Sequence, residues 1–160
     1  MSQKWNSQKR PSKIDQQGGI VAYQDDDNYI KLVYNNAKKC FLGGDEFIEL
    51  VVENHGYQYS AANIKTIGLI KDNYTIVFKL EKKGSRYTAY YSIGGKDFMF
   101  LGSTDAVLSN VQTGLITCEG VDIAIGDDIV SQIMAQMERK EEPKFEVKYD
   151  YFHIINTGLK

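Results

Sequence analysis

Cysteine, histidine and excess basic charge are all scarce in this chain, and each shortage removes a class of function. Two cysteines, Cys40 and Cys118, in 160 residues are too few for a disulfide framework and read as separate reduced thiols. His55 and His153 stand far from each other and from both cysteines, so no zinc-ligand spacing exists. Lys and Arg number 19 against 21 Asp and Glu, a net charge of −2, and the lysines are scattered among carboxylates. A phosphate backbone demands a basic stripe, so nucleic acid is not expected as a partner. No apolar run reaches membrane-spanning length, and no membrane partner is expected. The opening MSQKWNSQKRPSKIDQQ lacks the apolar stretch of a secretory signal. Localisation stays open, because a signal on a longer parent chain would lie upstream. There is no Gly-x-Ser-x-Gly elbow, and Gly18-Gly19 opens a strand with no helix behind it, which excludes a phosphate loop.

What is present is an ordinary globular composition, 42% hydrophobic and 25% charged, in a length that suits one domain. Gln16 to Tyr34 reads as a β-hairpin. Ile20 and Ala22 alternate with Val21 and Tyr23, Asp25-Asp26-Asp27-Asn28 break the run, and Ile30, Leu32 and Tyr34 resume it on one face. Asp and Asn favour the break because they bond back to their own backbone and tolerate left-handed dihedrals. Further strands are expected over 46–53, 57–61, 74–81, 86–92, 97–102, 114–118 and 145–155. Gly56, Gly84 and Gly94-Gly95 supply the turns between several of them. Ile76, Phe78 and Leu80 should face the core with Tyr87, Ala89 and Tyr91, leaving Thr88, Tyr90 and Ser92 outward. Many short strands at such intervals predict an antiparallel sandwich or barrel. One segment departs from period two. Between Asp127 and Arg139, residues Ile129, Val130, Ile133, Met134 and Met137 fall at helical spacing, with Asp127 or Asp128 as cap and Pro143 beyond, predicting one short amphipathic helix packed on the sandwich.

The strings GGIVAYQDDDNYIKLVY, FIELVVENHGYQYSAANI, KLEKKGSRYTAYYSIGGKDFMFLGST, GLITCEGV and YDYFHI, in that order, resemble the C-terminal concanavalin A-like β-sandwich of glycoside hydrolase family 43 enzymes, mainly β-xylosidases and α-L-arabinofuranosidases. The resemblance implies an all-β, antiparallel two-sheet jelly-roll sandwich over residues 16–160. Residues 1–15 are mostly polar, with Trp5 and Ile14 among their few apolar side chains, and are expected to hold a truncated first strand, which would leave a sheet edge open. In the family the catalytic carboxylates come from an upstream β-propeller. Nothing here resembles that propeller, so no catalytic residue is expected within the chain and the upstream catalytic domain is the expected partner. The implied role is a non-catalytic accessory domain of an enzyme acting on xylan- or arabinan-type glycans, which it also contacts. The alternatives are a free-standing carbohydrate-binding module and a protein-interaction domain without a sugar site.

Sugar rings stack on aromatic faces while amides and carboxylates bond their hydroxyls. Tyr23, Gln24, Tyr29, Tyr57, Tyr59 and Tyr90 are the candidates for carbohydrate contact, set against the ordinary use of Tyr as a strand residue with a buried ring and a wet hydroxyl. No cofactor is expected. A structural calcium ion would need six to eight oxygens, for which Asp25 and Asp27 are the candidate ligands, but a solvated turn accounts for the acidic run more simply.

Overall fold

The computed structural model describes residues 2–6, 15–37, 45–66, 70, 75–120 and 147–155. Ten strands run along them: β1 (Ser2–Asn6), β2 (Gln17–Asp25), β3 (Asn28–Ala37), β4 (Asp45–Asn54), β5 (Tyr57–Lys65), β6 (Thr75–Lys83), β7 (Arg86–Ile93), β8 (Met99–Asp105), β9 (Gln112–Cys118) and β10 (Lys148–His153). They form two five-stranded sheets, in the orders β10-β1-β6-β7-β8 and β5-β4-β3-β2-β9. Every pairing described is antiparallel. The two sheets stack as a sandwich of the expected class. No helix occurs among the described residues. The segment expected to be helical, 127–139, lies outside them, as does Cys40.

The alternation read from the sequence sets the register. Ile20 pairs with Leu32 and Ala22 with Ile30, and Leu32 pairs with Leu50 and Ile30 with Val52 on the other side. One face of this sheet is thereby apolar. It meets Ile76, Phe78, Leu80, Tyr87, Ala89 and Tyr91 of the opposite sheet in one buried cluster. Each Ile, Leu or Phe among them contributes about 1.5–3 kcal/mol relative to exposure. At β5 and β8 the sheets approach so closely that a Cβ on Gly102 would lie 2.3 Å from that of Ala62.

Residues 2–6 lie in the polar segment expected to leave an edge open. They form the short strand β1, bonded to β6 on one side and β10 on the other, so β1 itself does not stand at an edge of its sheet. Backbone pairing needs no particular side chain, which is why SQKWN carries little strand signal of its own. A second departure concerns β3 and β4, which are buried on both faces. Lys31, Val33, Asn35, Phe47, Glu49 and Val51, pointing away from the central core, are all under 10% exposed.

Two ties hold the sheets together beyond the core. The Tyr149 hydroxyl on β10 donates to the Ile116 carbonyl of β9 at 2.7 Å. Having one proton, it must then accept from the Thr117 hydroxyl, 2.6 Å away. On the link between β8 and β9, the Ser109 amide donates to Gln24 Oε1 at 2.6 Å.

Candidate functional site

The turns β2–β3 and β4–β5 lie side by side at one end of the sandwich. Gly56 N–H donates to the Asp27 carbonyl and His55 N–H to Asn28 Oδ1, both at 3.1 Å. His55 and Gly56 have φ of 52° and 73°, the left-handed pair that a two-residue hairpin of matching twist requires. The acidic turn works otherwise. None of Asp25 to Asn28 has positive φ. The turn is closed instead by side chains, with Asp25 Oδ1 accepting from the Asp27 amide at 3.0 Å and from Asn28 Nδ2 at 2.7 Å.

This arrangement occupies several residues that the sequence marked for binding. Gln24 donates to Asp25 at 2.9 Å and accepts from Ser109, so its amide is a strut. The Tyr23 hydroxyl donates to Asp26 at 2.6 Å, and that bond raises the phenol pKa. Bonds from Asn28 and Gln24 pull the Asp25 carboxyl below its usual range. Tyr29 donates to Glu53 at 2.5 Å with the Lys31 ammonium 5.5 Å from its ring centre. Burial, reinforced by Glu53, pushes the Tyr29 pKa strongly upward. Among the described residues no group of three or more His, Cys, Asp or Glu side chains could hold a metal.

Tyr57 and Tyr59 differ from these. They are 72% and 39% exposed, and their rings lie 6.3 Å apart at 30°. A bulge sets their direction. Leu50 pairs with Ala62 but Val51 pairs with Ser60, so Ala61 is the extra residue. Beyond it Tyr59 and Tyr57, rather than Ser60 and Gln58, take the side shared with Val52. A phase change in the sequence, from 57 and 59 to 62 and 64, is the signal that announces this bulge.

Tyr90 is separate from all of them, on the outer face of the other sheet. It pairs with Lys79 and with Phe100. A second bulge, with Ala89 opposite Gly102 and Tyr90 opposite Phe100, leaves Leu101 as the extra residue and turns Phe100 outward. The Lys79 ammonium sits 4.5 Å from the Tyr90 ring centre and 5.4 Å from that of Phe98. Phe98, Met99 and Phe100 are consecutive and all exposed, Phe100 to 62%. Sequence reasoning singled out Tyr90 and missed its two aromatic neighbours, Phe98 and Phe100.

The family model described as beta xylosidase C-terminal concanavalin A-like domain matches residues 8–115, well over half of the chain. The chain belongs to that family. Among solved structures, the family 43 protein BlXynB of Bacillus licheniformis aligns with a TM-score of 0.60 and 22% identity, over 76% of this chain and 24% of that one. A mutant of the same protein aligns at 0.58 with 20% identity, over 74% and 23%. Xylan beta-1,4-xylosidase of Bacillus halodurans aligns at 0.56 with 14% identity, over 72% and 23%. At these identities the likeness is one of fold, and the chain spans about a quarter of the length of each. No curated protein matches it significantly.

Several carboxylates of this sandwich are held in structural bonds. Tyr34 donates to Glu46 at 2.5 Å and Asn35 to Glu49 at 2.8 Å. Glu81 pairs with Lys79 at 2.8 Å, which draws its pKa down. A glycosidic general acid needs the opposite shift, upward, with a second carboxylate about 5–10 Å away. The amides of Gln17 and Asn35 are buried too, their nitrogens donating to Asp15 O and Glu49. Their oxygens are shut off from solvent without a partner. Each costs about 1–3 kcal/mol. Cys118 is a free, half-buried thiol.

Proposed function

We propose that this chain is a non-catalytic accessory β-sandwich of a family 43-type glycoside hydrolase acting on xylan- or arabinan-type glycans, where it buttresses the catalytic domain and contacts carbohydrate. The observation that carries this reading is the exposed aromatic surface of Phe98 and Phe100 beside Tyr90, on the outer face of its sheet. A lone sandwich has no use for such a surface, whereas a domain that docks on a neighbour does. Family membership supplies the neighbour: the chain corresponds to a C-terminal domain and aligns with about a quarter of each solved xylosidase-type structure. The downward shifts of Asp25 and Glu81 speak against a general acid at either position.

The purified chain is expected to hydrolyse neither aryl xylosides nor aryl arabinofuranosides. In sedimentation with the catalytic domain of its parent enzyme it should form a one-to-one complex, and Phe100→Asp should weaken that complex at least tenfold by placing a charge in the contact. Turnover by the chain alone, or a complex indifferent to the substitution, would overturn the reading. A free-standing carbohydrate-binding module is the second reading, favoured by the exposed Tyr57–Tyr59 pair.

A further inference from the structure

The two exposed aromatic sites have different surroundings, and the difference separates their occupants. Around Phe100 the neighbours are more apolar rings. Tyr57 and Tyr59 stand instead beside the exposed polar residues Asn54, paired with Tyr57, and His55 of the adjoining turn. Their rings are 6.3 Å apart and within 30° of parallel, matching the i, i+2 spacing of a strand. Both point to one side of β5, the last strand of its sheet among the described residues.

We infer that Tyr57 and Tyr59 form a two-ring platform for consecutive sugar units of an extended glycan lying along the β5 edge. This rests on the reading of the chain as a glycan-linked domain and assigns it a particular site. A sugar presents a flat array of C–H groups on one face and hydroxyls around its rim. Two neighbouring exposed rings tilted by 30° accept the first, and the Asn54 amide, paired with Tyr57 on the same side, accepts the second. A protein partner would be expected to find a continuous apolar contact, and a nucleic acid a basic one; neither surrounds this pair. The platform is also pre-organised. The His55–Gly56 turn is tied to the neighbouring turn through Asp27 and Asn28, and His55 Nδ1 lies 2.7 Å from Asn54 Oδ1. Little ordering remains to oppose binding. The other candidates are thus divided: Tyr23, Gln24 and Tyr29 hold the end of the sandwich together, while Tyr90 belongs to the docking surface.

The test is an amide NMR titration of the whole chain with xylotetraose and, separately, linear arabinotetraose. Saturating shifts should appear at residues 54–60 with at least one of them. Tyr57→Ala and Tyr59→Ala should each weaken binding about tenfold, the scale of one lost stacking contact. Tyr57→Phe should keep most of it, because the ring face does the stacking. Phe100→Asp should leave it unchanged. Both tyrosines are surface residues, and retained spectral dispersion verifies that each variant is folded. No shifts with either sugar, shifts located elsewhere, or shifts that survive both alanine variants would each overturn the platform. The docking reading is tested separately, since loss of the complex by Phe100→Asp without any sugar binding removes the platform alone.

Discussion

Tyr29 is held in its neutral form by two influences that act in the same direction, burial first and the Glu53 carboxylate second. Burial alone does the same, less strongly, to Tyr87 and Tyr91, and it is the main cause of the rise at Tyr149. A phenol whose pKa is raised on folding contributes stability that is complete below its unfolded value near 10. That stability is lost as pH climbs through the folded value, because only the unfolded chain has already released the proton. Denaturant midpoints should therefore hold steady up to about pH 10 and fall beyond it. Tyr29→Phe should make the alkaline decline shallower, and an unchanged slope would show that this phenol is not part of the linkage. The residue scale also explains the mixed fate of the binding candidates. A tyrosine or glutamine in a strand sequence looks the same whether its polar tip meets ligand or a neighbouring turn, and the partner of Gln24 lies 85 residues away.

At the scale of elements, the strands were largely legible and their irregularities were not. The stretch expected over 16–34 is the β2–β3 hairpin, with Ile20, Ala22, Ile30 and Leu32 buried as the alternation indicates. Strands expected over 46–53, 86–92 and 114–118 coincide with β4, β7 and β9 to within two residues at either end. Period two survives in the sequence because one face of each strand must leave water. β1 escaped because its short polar sequence offers no such period. Edge bulges escaped as well, since one inserted residue leaves composition untouched while reversing which side chains face out. Tyr59 on β5 and Phe100 on β8 both owe their directions to such insertions. Between those same strands, Gly102 lets the sheets meet at Ala62. Gly102→Ala should destabilise the domain by about 1–3 kcal/mol through overpacking, as read from urea midpoints. A neutral result would mean that the β5–β8 margin yields without strain.

For the whole molecule, stability should grade from the middle of each sheet to its margins. β3, β4, β6 and β7 each bond to strands on both sides and carry most of the core cluster, whereas β5, β8, β9 and β10 are the end strands of the sheets among the described residues. Native-state hydrogen exchange should find the slowest amides in the first group, exchanging only by global unfolding, and the fastest in the second. Equal protection of β8 and β4 would contradict that gradient. The proposed contact surfaces both lie on marginal strands, the sugar platform on β5 and the docking face around β8. A partner seated on either would stabilise the part of the domain that opens most readily.

The placement of β1 carries a consequence for biogenesis. Residues 2–6 pair with 75–79 and with 148–153, and β2 pairs with β9, nearly a hundred positions downstream. Such long closures make for slow folding, on the millisecond-to-second scale of other sandwich topologies. During synthesis, β1 waits for β6 to emerge and cannot gain its second neighbour until β10 has left the ribosome. The sheet carrying the docking face is therefore completed only after translation has passed residue 153.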